Sequence, residues 1–151
     1  MNNGSYVRFL SALFAAFAIS CPAISGCGAK VPFSIVPVHG KIAYDDGSLI
    51  SADSILVTFY PILEGEKGKN VPPGGQTNVN VQDGTFSAVS SYRNNDGLAI
   101  GRHKVMVKSY KKGSSTPTTA VPAIYHSETT TPLEIEVESS DQLLDLKIAK
   151  K

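Results

Sequence analysis

Tryptophan is absent from the 151 residues, and cysteine and methionine occur twice each. Two cysteines close one disulfide at most, so the chain is not a disulfide-framed scaffold. Charge of one sign is missing too: 14 Lys and Arg stand against 13 Asp and Glu, a formal net of +1. Without surplus positive charge to displace counterions from phosphates, nucleic-acid binding is not expected. Long apolar runs are lacking; the longest, residues 9–19, is about half of the ~20 residues that span a bilayer with comfort. No segment makes a convincing amphipathic helix, and residues 122–127 offer one turn at most. There is no internal repeat of constant period. What is present is an ordinary globular mix, 42% hydrophobic and 18% charged, with 13 Gly and 9 Pro among many Val, Thr and Ser. That composition favours strands joined by turns, in one domain.

The first residues differ from the rest. Arg8 is the only charged side chain before an apolar run that leads into small residues and cysteine, the order of a secretory signal. Ile24-Ser25-Gly26-Cys27 resembles the bacterial lipobox, an aliphatic residue and two small residues before an invariant cysteine. The resemblance implies removal of a signal peptide, residues 1–26, and a thioether-linked diacylglycerol on Cys27. Two alternatives stay open: Ala18-Ile19-Ser20-Cys21, where Pro22 would follow the cut, and ordinary secretion. If Cys21 leaves with the signal and Cys27 carries lipid, no thiol remains for a disulfide, a metal or a nucleophile. Acyl chains contribute ~0.8 kcal/mol per buried methylene, so two or three anchor far more firmly than one. The expected location is the cell envelope, on the periplasmic or outer side of a bacterial membrane. Residues 27–35 read as lipidated cysteine and tether, and residues 36–151 as the folded domain.

Within that domain, period-two alternation recurs between turn residues. The strands expected are 36–44, 55–60, 77–81, 85–89, 102–110, one through Leu133, Ile135 and Val137, and one through Leu144, Leu146 and Ile148. Gln82-Asp83-Gly84 reads as a hairpin turn between the third and fourth. Val105 and Val107 should point inward with His103 on their side, and Lys104 and Lys108 outward. About seven strands, each with one polar face, call for an all-β, two-sheet antiparallel β-sandwich. If strands alternate direction, the 45–53 turn, the Asp83-Gly84 turn and the 111–120 loop share the end remote from the tether.

The order of segments adds a resemblance. Val38-His39-Gly40-Lys41-Ile42-Ala43-Tyr44-Asp45, Val57-Thr58-Phe59-Tyr60-Pro61, Val81-Gln82-Asp83-Gly84-Thr85-Phe86, Gly101-Arg102-His103-Lys104-Val105-Met106-Val107, Val121-Pro122-Ala123-Ile124-Tyr125 and Pro132-Leu133-Glu134-Ile135-Glu136-Val137 follow one another behind the lipobox. Together they resemble the small transthyretin-like, carboxypeptidase-regulatory-like lipoproteins of planctomycete bacteria. The resemblance implies a prealbumin-like β-sandwich at the envelope and no particular activity.

Chemistry is sparse. Ser91-Tyr92-Arg93-Asn94 only echoes the carboxy-terminal Tyr-Arg-Gly-Ser of 5-hydroxyisourate hydrolases, being internal and lacking the glycine. No serine sits in a Gly-x-Ser-x-Gly elbow. His39, His103 and His126 lack metal-ligand spacing, and no catalytic residue, metal ligand or cofactor is expected. Asp45-Asp46-Gly47 and Asn94-Asn95-Asp96-Gly97 are oxygen-rich enough for calcium, but turn chemistry explains them as well. Lys104, Lys108, Lys111 and Lys112 either meet acidic envelope polymer, or pair with the stripe Glu134, Glu136 and Glu138, or are simply solvated. The function expected is a non-enzymatic envelope module for structure or for contact with a protein or glycan. The alternatives are a small-ligand or carbohydrate carrier, which needs a concave apolar pocket, and an undetected hydrolase.

Overall fold

Successive side chains of an extended chain point to opposite faces, so alternating apolar residues give each strand one face to bury. The computed structural model, which describes residues 33–63 and 71–150, carries that pattern in nine strands. They are β1 (Ile35–Val36), β2 (Val38–Tyr44), β3 (Ser54–Pro61), β4 (Gly75–Asn78), β5 (Thr85–Phe86), β6 (Leu98–Ala99), β7 (Gly101–Tyr110), β8 (Glu134–Val137) and β9 (Gln142–Ile148). One 3₁₀ turn, Ala123–His126, falls where a single turn was expected. Cys27, the lipobox residues Ile24, Ser25 and Gly26, and the signal-like segment lie outside the described residues.

Two sheets enclose one apolar core. The first has the order β5-β2-β9 and the second β4-β3-β7-β8, while β1 and β6 form a separate short pair. The all-β sandwich expected from the alternation is the observed class. Val38, Ile42, Leu144, Leu146 and Ile148 from the first sheet are buried with Ile55, Val57, Phe59, Val105, Val107 and Val137 from the second. The even-numbered residues of β3 and β7 occupy the outer face, where Leu56, Tyr60, Met106 and Tyr110 are half-buried.

Several details depart from the strand pattern read in the sequence. β9 pairs with β2 in parallel, from Val38 opposite Gln142 to Tyr44 opposite Ile148. The reason is that β8 and β9 belong to different sheets: the chain turns through residues 138–141 and enters the other sheet running in the direction of β2. The Gln82-Asp83-Gly84 turn likewise joins different sheets, β4 to β5, instead of closing a hairpin within one. Its tightness is as expected, with Gly84 at φ 76°, and Asn80 and Thr85 bridge across it. Finally, Ile35 does not serve as tether. It pairs with Ala99 in β1–β6, and Ile100 N–H donates to Ser34 C=O at 3.0 Å, because Ile35 and Val36 satisfy backbone groups that the chain before Gly101 would otherwise leave open.

Two glycines allow close approaches that the fold requires. A Cβ on Gly40, in the central strand of its sheet, would collide with Leu144 C=O and lie 2.5 Å from Phe86 Cζ. The Phe86 ring occupies the space thus left and meets Phe59 of the opposite sheet at 6.3 Å between centroids, tilted 56°. Gly97, at φ 103°, has no room for a side chain either, since its Cβ would fall on Val36 C=O.

Gly40→Ala is expected to destabilise the chain by ~1–3 kcal/mol, the range for overpacking, and Phe86→Ala by ~3–5 kcal/mol. Urea denaturation measures both, and a Gly40→Ala chain as stable as its parent would rule out the seat described for Phe86.

Candidate functional site

The three histidines fall in three different places. His39 is exposed on the outer face of the first sheet, opposite Leu143 in register. His126 ends the 3₁₀ turn, half-buried, with its Nε2 enclosed and without a hydrogen-bond partner. His103 points inward beside Val105 and is 1% exposed, as its parity predicts. Its Nε2 lies 2.7 Å from Ala99 C=O, so that nitrogen carries the proton and donates. Nδ1 is then a bare acceptor, buried and unpartnered. Burial disfavours the charged ring and lowers the His103 pKa, although the Ala99 contact pulls the other way. No group of three or more His, Cys, Asp or Glu gathers in metal-binding proximity among the described residues.

In the oxygen-rich turns, one carboxylate each is engaged by donors of the chain, Asp96 and Asp46. Asp96 accepts from Ser91 N–H at 2.8 Å and Ser91 Oγ at 3.1 Å through one oxygen, and from Arg93 N–H at 2.7 Å through the other. Partial burial raises its carboxyl pKa, but these bonds outweigh that and hold it below the ordinary value. Asp46 accepts from Lys150 Nζ at 2.8 Å and from the backbone and hydroxyl of Ser48. The Lys150 bond is the largest of the causes that lower its pKa. Tyr92 and Arg93 are exposed neighbours in the first of these turns.

The basic stripe divides in two. Glu134 pairs with Arg102 at 2.7 Å and approaches Lys104 at 4.0 Å, as expected for adjacent strands. β8, however, spans only the stretch opposite Gly101 to Lys104. Lys108, Lys111 and Lys112 extend past it and make no side-chain ion pair among the described residues.

Lys111 and Lys112 line a concavity of about 880 Å³ on the outer face of the second sheet. Its floor comes from cross-strand register: Ser54 opposite Tyr110, and Leu56 between Asn78 and Lys108. Val81 and Gln82 form one wall, and Lys111, Lys112, Gly113, Ser114 and Ser115 the other. Asp53 ties the loop to the sheet, with its N–H donating to Tyr110 C=O at 3.1 Å and its carboxylate accepting from Lys112 N–H at 2.9 Å. The 45–53 turn and the 111–120 loop thus do share an end of the sandwich, the end remote from β1. Lys111 and Lys112 were singled out in the sequence; Asp53, Tyr110, Asn78 and Gln82 were not. A signal was available, because residues 97–127 hold five Lys and Arg and no Asp or Glu. A second depression, about 700 Å³ and lined by His39, Lys41, Phe86 and Leu143, lies on the first sheet. Both are surface features, whereas the space between the sheets is filled by the core side chains.

Comparison with models of known protein families, with curated proteins and with solved structures finds no significant match to this chain.

Burial of His103 generates a pH dependence. The unfolded chain takes up a proton on this residue as pH falls through ~6.5, whereas the folded chain does so only at lower pH. Its contribution to stability is therefore complete above ~6.5 and declines below it, by at most ~1.4 kcal/mol per pH unit. The carboxyls of Asp46, Asp83 and Asp96 are held below the ordinary range and titrate beneath this window. Denaturant titrations between about pH 7 and about pH 5 should show a decline that His103→Leu reduces; an identical slope in the variant would contradict this assignment.

Proposed function

We propose that this chain is a lipid-anchored β-sandwich module of the bacterial cell envelope, of the transthyretin-like kind, that serves in contact with a protein or glycan and not in catalysis. The observation that carries the reading is Ile24-Ser25-Gly26-Cys27 at the end of an apolar, singly charged leader. The arrangement of the domain supports it. β1 lies at one end of the sandwich, and the loops bearing the larger concavity lie at the other. The filled core argues against a carrier that encloses its ligand between the sheets. His103 is withdrawn from solvent and serves packing rather than proton transfer.

The anchor is tested by metabolic acyl labelling and membrane fractionation of the parent, Cys27→Ala and Cys21→Ala. The parent and Cys21→Ala are expected to carry label and sediment with membranes, and Cys27→Ala to lose both. An unlabelled parent, together with undiminished membrane retention of Cys27→Ala, would refute it.

A further inference from the structure

The concavity beside Tyr110 combines three features that belong to one ligand class. Its electrostatics come first. Two lysines line it, Lys111 and Lys112, against one carboxylate, Asp53, which is occupied by Lys112 N–H; Lys108 lies outside the lining, opposite Leu56 in register. Asp83, next along the turn, directs its carboxylate to Thr85 and Asn80 instead. The surrounding stretch, residues 97–127, contains no other acid to neutralise the lysines. In a domain whose charges otherwise balance, this local surplus is uncompensated by the chain.

The second feature is the floor. Tyr110 and Leu56 are half-buried on the sheet's outer face, and Val81 lies beside them. An aromatic ring and two aliphatic side chains suit the C–H face of a pyranose ring, which stacks where flat apolar surface is fixed. The third is the amide and hydroxyl set around that floor, Asn78, Gln82, Ser54 and Ser114, which can donate and accept as sugar hydroxyls require. A dense polyanion would need more cations than these two, and a neutral glycan would leave the lysines unused.

We infer that this concavity binds an anionic glycan carrying about one carboxylate per sugar, of the uronic-acid class. The assignment rests on the contact function proposed above and specifies its partner, but it does not depend on the lipid. Lys111 and Lys112, both exposed, meet ligand carboxylates, Tyr110 stacks against a ring, and Asp53 positions the Lys111–Ser115 wall through its bond to Lys112 N–H.

The test titrates the full-length protein, purified in detergent, with an oligogalacturonate, a neutral dextran oligomer and polyglutamate. Calorimetry and tyrosine fluorescence follow binding, the latter unobscured because tryptophan is absent. Saturable binding of oligogalacturonate, and weak or no binding of the other two, is expected. Removing two charge-assisted contacts in Lys111→Ser with Lys112→Ser should weaken it by about tenfold or more. Tyr110→Leu, which keeps the buried apolar area and removes the ring, should weaken it by about fivefold. Lys147→Ser, on the first sheet, should bind as the parent does. The exposed lysines carry no packing, so their double variant remains informative even if Tyr110→Leu misfolds. Absence of saturable oligogalacturonate binding, equal binding of polyglutamate, or an equal loss in Lys147→Ser would overturn the assignment. Acyl labelling of Cys27 is read independently, so failure of either conclusion is distinguishable from failure of the other.

Discussion

The seating of Phe86 against Gly40 is the contact on which the two-sheet arrangement depends. A glycine in a central strand normally weakens it, because it adds backbone freedom and buries no side chain. Here the missing side chain admits a ring from the neighbouring strand, and that ring continues to Phe59 across the interface. One small residue thereby couples β5, β2 and β9 to the opposite sheet. The short length of β5, two residues, is consistent with this division of labour: its backbone pairing is slight, and its phenylalanine contributes through packing.

A second constraint is the unequal length of neighbouring strands. β7 is ten residues long and β8 four. Where the two run side by side, cations and carboxylates alternate across the pair; beyond β8 the upper edge of β7 is covered by neutral chain. Pro117 bridges Tyr110, Thr118 N–H donates to Ser109 C=O at 2.7 Å, and Thr131 Oγ1 donates to Val105 C=O at 2.7 Å. These contacts close a strand edge that would otherwise invite pairing with another chain, and they leave the lysines above it without counter-charges. The same strand is thus internally neutralised at one end and followed by cations without counter-charges at the other.

Much of the sandwich was legible in the residues. Alternation placed Val105 and Val107 inside with His103 on their side, because period two admits only two faces and the other carried Lys104 and Lys108. The 3₁₀ turn and the tight Gly84 turn were legible for comparably local reasons. The parallel partnership of β2 and β9 was not, since strand pairing is decided by which edges remain free after the other strands have docked. Nor was the role of Ile35 in the fold: a two-residue strand has no period to detect. For the candidate site, Lys111 and Lys112 were visible as charges, but Tyr110, Asp53 and Asn78 were ordinary strand and turn residues. They lie far apart along the chain and meet only through cross-strand register.

The sequence by itself determined that this chain makes strands and not helices, which faces of those strands are buried, and where its turns fall. Those properties follow from neighbours within a few residues, through side-chain alternation and turn chemistry. Only the tertiary structure decided which cations lose their counter-charges and which tyrosine lies beside them. Charge compensation depends on distance in space, and the end of β8, not any feature of the lysines themselves, sets that distance.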